Sequence, residues 1–126
     1  MQSNPAVWFE IYVDDMERAK TFYTTVLNTE LQKHDSPELE MWTFPMEGCS
    51  PTSYGANGAL AKMEGVKAGN NSTVVYFACE DCAIEAGRVE AAGGKVHREK
   101  FSIGEYGFIA LATDTEGNMF GLHSMA

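Results

Sequence analysis

The chain is poor in positive charge. Nine lysines and arginines stand against 18 aspartates and glutamates, a formal net charge of −9 over 126 residues. That balance cannot neutralise phosphates along a duplex, so nucleic acid is not expected as a partner. An anionic membrane surface is disfavoured on the same grounds. No apolar run approaches the length of a spanning helix, so no membrane span is expected. The first residues, Met1-Gln2-Ser3-Asn4-Pro5, lack the basic and apolar regions of a secretion signal. Cysteine is scarce as well, and its odd count of 3 does not suggest a disulfide framework. These absences point to a cytoplasmic protein. What remains, a 44% hydrophobic fraction without low-complexity runs, suits one globular domain over residues 1–126.

The order of motifs suggests a duplication. Val7-Trp8-Phe9-Glu10-Ile11-Tyr12-Val13 leads into Asp14-Asp15 and a helical pattern with Met16, Ala19, Phe22, Tyr23, Val26 and Leu27 on one stripe. Asp14 and Asp15 can each cap the helix, Glu17 stands three residues after Asp14 as in a capping box, and Asn28 reads as the helix end. Strands are predicted at 30–34, 41–46 and 58–63, with 47–57 as the longest loop. Half a chain later, 72–79 reads as a strand and Asp81 as a cap. A second stripe holds Cys82, Ala86, Val89 and Ala92, and Gly93-Gly94 stops that helix. Strands at 95–100, 107–113 and 119–123 follow, with 114–118 as the last turn. Each half thus reads β-α-β-β-β, module one over about 5–66 and module two over about 70–126. The fold class is α+β, with the two modules forming a curved mixed sheet around a cleft and helices outside.

The order of these elements resembles the vicinal oxygen chelate superfamily of glyoxalase I, bleomycin-resistance proteins and extradiol dioxygenases. The matching residues are Phe9-Glu10-Ile11, Asp15, Arg18-Ala19 and Phe22-Tyr23, then Val89 to Val96 and Asp114 to Leu122. The resemblance implies metal ligands on the first and last strands of each module. By that match the positions fall on Trp8, Val74 and Gly121, whose side chains donate no lone pair to a metal. No metal or cofactor is therefore expected. An extradiol dioxygenase is disfavoured, since its two histidines and glutamate are not at the matching places.

Alternation along the strands gives an independent view of the cleft. Phe9, Ile11 and Val13 share one face of the first strand, and Trp8, Glu10 and Tyr12 share the other. In module two, Val75, Phe77 and Cys79 belong to the core with Phe120 and Leu122. Val74, Tyr76 and Ala78 face the cleft with Met119, Gly121 and His123. The candidate ligand-binding residues are Trp8, Tyr12, Tyr76 and Met119, and the candidate catalytic residues are Glu10 and His123. A solvated strand face or a dimer interface would explain the same pattern. His34 and His97 are read as structural or exposed. Cys79 and Cys82 match a redox spacing but fall on buried stripes, as small hydrophobes would.

Two functions follow. One is a glyoxalase-like lyase or isomerase with Glu10 as base and His123 and Tyr76 hydrogen-bonding a small molecule. The other is a bleomycin-resistance-like protein that binds or sequesters a small molecule without chemistry. A third reading places a non-standard metal on Glu10, His123 and Glu64. A homodimer is expected.

Overall fold

The computed structural model describes residue 6 and residues 8–34, 37, 39–46, 55–70 and 73–126. Most of the predicted 47–57 loop therefore lies outside the described residues, as does Ser72 at the head of the predicted second-module strand. The first module contains β1 (Trp8–Tyr12), α1 (Met16–Leu27), β2 (Gln32–His34), β3 (Glu40–Thr43) and β4 (Asn57–Lys62). The second contains β5 (Val75–Ala78), α2 (Cys82–Val89), β6 (Lys95–Ser102), β7 (Phe108–Thr113) and β8 (Met119–Ser124). A single 3-10 turn at Gly104–Tyr106 joins β6 to β7. The fold is α+β with two β-α-β-β-β modules, as the periodicity predicts.

Each module builds a mixed four-stranded sheet, ordered β1-β4-β3-β2 in one and β5-β8-β7-β6 in the other. First and last strands pair in parallel in both, Glu10 opposite Ala59 and Tyr76 opposite Gly121. The remaining pairs are antiparallel. Both first strands thus stand at the edge of their own sheet. Their core-side rings Phe9 and Phe77 meet edge to face at 6.1 Å. One core serves both halves: Phe22 and Tyr23 of α1 pack on Phe120 of β8, at 5.8 and 5.6 Å between ring centres.

Helix ends follow local chemistry, with one correction. The cap of α1 is Asp15, whose carboxylate accepts from the Arg18 N–H, so the Asp14/Glu17 capping box does not form. Asp14 instead accepts from the Ala68 N–H at 3.1 Å and ties down the segment between the modules. Asn28 ends α1 in the left-handed conformation at φ 51°, and Asp81 caps α2. Gly94 does more than follow a helix. A Cβ there would stand 2.6 Å from the Phe22 ring, so its bareness lets the first helix pack close to the second module.

Candidate functional site

The turn that reads as a simple connection before β8 makes several polar contacts to the first module. Glu116, with a fully buried side chain, accepts from the backbone N–H of Asp14 and Asp15 at 3.0 and 2.8 Å. It also accepts from Arg18 Nε at 2.7 Å and from the Thr115 hydroxyl at 2.8 Å. Burial pushes the Glu116 carboxyl up, but the Arg18, Asp15 and Thr115 donors together outweigh it and hold it below its ordinary value. Alongside, the Tyr23 hydroxyl donates to Asp114 at 2.6 Å. Burial, then the Asp114 charge and this hydrogen bond, drive the Tyr23 phenol well above its ordinary value. Asn118 donates to the Tyr12 carbonyl and accepts from the Gly69 N–H. These groups satisfy one another; they hold the halves together and leave no reactive group over.

Next to this clamp lies a cavity of about 410 Å³, within the size range of small-molecule sites. Its walls come from β1, the 66–69 segment, the approach to β5 and the start of β8. Three of the predicted site residues line it: Glu10, Tyr12 and Met119. Phe9, Val75 and Phe120 add apolar surface, and Tyr23 and Asn118 lend the sides not spent on the clamp.

Glu10 is organised by its strand neighbours. The Trp8 indole N–H donates to one carboxylate oxygen at 3.2 Å, and the Tyr12 hydroxyl donates to the other at 2.8 Å. The three side chains share a face because residues i, i+2 and i+4 of a strand do. The hydrogen bond to Glu10, with some burial and the carboxylate charge, raises the Tyr12 phenol above its usual range. An acid flanked by two aromatic donors is therefore fixed at the cavity wall.

The remaining predicted residues are placed differently. Trp8 reaches the cavity only through its bond to Glu10. Tyr76 lies flat over Gly121, where a Cβ would stand 2.2 Å from its ring. His123 is engaged too, its Nε2 donating to the Tyr106 carbonyl at 2.7 Å. Neither Tyr76 nor His123 lines the cavity, so the predicted pairing of Glu10 with His123 is not brought together there. His34 and His97 are exposed, and His97 contacts the Thr113 hydroxyl. Burial, then the nearby Glu85 carboxylate, pushes the Cys79 thiol up to about 12, which suits a half-buried small side chain rather than a redox thiol.

The implied metal positions do not fit a metal. Trp8 and Val74 have no suitable donor, and the space a side chain at position 121 would enter is filled by Tyr76. Among the described residues no three His, Cys, Asp or Glu side chains are gathered closely enough to hold an ion, so Glu10, His123 and Glu64 do not form a set. No helix among them is long and apolar enough to cross a membrane.

Comparison with known proteins agrees with this architecture. A family model described as the Glyoxalase/Bleomycin resistance protein/Dioxygenase superfamily matches residues 6–122. Glyoxalase I from Zea mays superposes with a TM-score of 0.72 at 26% identity, over 96% of this chain and 44% of the maize chain. The chain thus spans less than half the length of that enzyme. TnmS3, an antibiotic binding protein from Streptomyces sp. CB03234, superposes with a TM-score of 0.66 at 19% identity, over 100% of this chain and 99% of its own. A glyoxalase-related enzyme from Fulvimarina pelagi gives a TM-score of 0.66 at 17% identity, over 96% and 88% of the two chains. No curated protein matches the sequence.

Proposed function

Because the chain belongs to the glyoxalase/bleomycin resistance protein/dioxygenase superfamily, we propose that it captures a small planar cation in the cavity beside β1, without chemistry. The observation that carries this reading is Glu10, fixed by Trp8 and Tyr12 at the wall of an otherwise mostly apolar cavity. Apolar rings supply most of the contact area, and a positioned carboxylate selects charge and orientation. Both Glu10 oxygens already accept a hydrogen bond, which suits a fixed counter-charge better than a proton acceptor. The likeness to an antibiotic binding protein supports capture as a use of this scaffold.

The test is calorimetric titration with naphthylmethylamine, a planar body carrying one ammonium. Saturable binding with the probe recovered unchanged is expected, and Glu10→Gln weakens it about tenfold, the scale of one charged hydrogen bond. Equal affinity in Glu10→Gln would sink the assignment.

The enzymatic alternative is favoured by the likeness to maize glyoxalase I. In it Glu10 is the base and His123 and Tyr76 hydrogen-bond the substrate, yet only Glu10 lines the cavity. Product formed from a bound carbonyl compound, and lost in Glu10→Gln, would establish it. A homodimer fits the exposed Trp8 and Tyr76, at 40% and 49%, as surface for a second copy to cover. Sedimentation velocity reads that state directly.

A further inference from the structure

The cavity carries a second charge that the strand pattern does not announce. Lys67 lines it, on the segment that links the modules. Two backbone hydrogen bonds fix that segment on either side of the clamp. The Ala68 N–H donates to Asp14 at 3.1 Å and the Gly69 N–H donates to Asn118 at 2.8 Å. Lys67 is therefore held at the cavity by its neighbours' backbone, although its own side chain is exposed.

Among the described residues, Lys67 and Glu10 are the charged side chains of the lining, and they do not pair with each other. Other polar groups in the wall are committed. The Tyr23 hydroxyl is spent on Asp114, the Tyr12 hydroxyl on Glu10, and the Asn118 amide on Tyr12, Asp114 and Gly69. Both charged heads are exposed, so a ligand with one charge pairs with one of them and leaves the other in water, gaining a single charged hydrogen bond. A ligand with both charges on an apolar body meets both at once.

We infer that the cavity selects zwitterionic aromatic molecules, with Glu10 receiving the ammonium and Lys67 receiving a carboxylate or similar anion. This rests on the cavity being the ligand site and narrows the class from planar cations to planar zwitterions.

Three probes with the same ring separate the two readings: naphthylmethylamine, naphthoate and aminomethyl-naphthoate, each titrated calorimetrically. Aminomethyl-naphthoate is expected to bind the unsubstituted protein about tenfold more tightly than either singly charged probe, the scale of one further charged hydrogen bond. Lys67→Gln erases its advantage over naphthylmethylamine and leaves the amine's own affinity in place, whereas Lys67→Arg keeps the advantage. Lys67 is exposed, so unchanged thermal unfolding of both variants is expected to accompany these results. If the amine binds through Glu10 but the zwitterion gains nothing, or gains equally in Lys67→Gln, the inference is wrong and cation capture stands. If none of the three binds, both readings fall.

Discussion

Glu10 and Glu116 are both carboxylates held by hydrogen bonds, yet they serve opposite ends. Glu116 is buried, and its four donors come from α1, the residues before it and its own turn. Glu10 is exposed, has two donors from its own strand, and lines a cavity. A buried carboxylate saturated by distant parts of the chain joins those parts. An exposed one aligned by its neighbours keeps capacity for something outside the chain. Counting donors alone would rank Glu116 as the more important site; where the donors come from separates architecture from recognition.

The largest expected effect lies on the architectural side. Glu116→Ala leaves the Arg18 guanidinium and two backbone N–H groups without their acceptor and should cost about 3 kcal/mol. Urea unfolding measures it, and a loss under about 0.5 kcal/mol, the scale of an ordinary surface change, would remove the distinction drawn here. The pH dependence follows from the same residue. Its folded carboxyl sits below its unfolded value of 4.5, so the contribution is full above that value. It is lost as pH falls through the depressed folded value. The stability gap between the protein and Glu116→Gln should therefore be constant near neutrality and shrink below about pH 4; a gap widening in acid would contradict the sign.

Smaller changes sharpen both sides. Tyr23→Phe removes one hydrogen bond from buried Asp114, which retains the Glu116 and Asn118 N–H donors, and should cost about 1 to 2 kcal/mol by thermal unfolding. The smallest effect is spectroscopic. Glu10→Ala removes the hydrogen-bond acceptor, and with it the carboxylate charge, that hold the Tyr12 phenol up, so its ionisation, followed by ultraviolet absorbance, should move down towards 10.0. No movement would mean that the Trp8-Glu10-Tyr12 arrangement does not persist in solution.

The elements were legible because each is written in local chemistry: stripes at helical spacing, Asp15 or Asp81 before a helix, Asn28 or Gly93 after one. Two aspartates stand side by side before α1, and only the distant Ala68 N–H decides which caps it and which holds the linker. Alternation assigns Phe9, Ile11, Val75 and Phe120 to the core and Glu10, Tyr12 and Met119 to the cleft, whereas the cavity at the open edge of β1 is lined by residues of both faces. Alternation could not say that Tyr76 would be spent covering Gly121, because that depends on the register between β5 and β8. His123 was likewise placed on its face but not beside Tyr106, which a separate turn delivers. Lys67 was missed for a related reason. It has no periodicity, and its flanking Gly65 and Gly69 signal only a break between modules. The helices and strands, and the Trp8-Glu10-Tyr12 row, therefore follow from near neighbours in sequence, whereas the Glu116 clamp and the cavity around that row depend on contacts made at long range.

In the proposed division of labour, Glu10 recognises a ligand while Glu116 holds the modules together. Calorimetric titration of naphthylmethylamine into the protein, Glu10→Gln and Glu116→Gln tests it, at a temperature where unfolding curves show all three folded. About tenfold weaker binding is expected in Glu10→Gln and near-unchanged binding in Glu116→Gln, with unfolding midpoints in the reverse order. Equal affinity in the protein and Glu10→Gln, or a loss confined to Glu116→Gln, would contradict it.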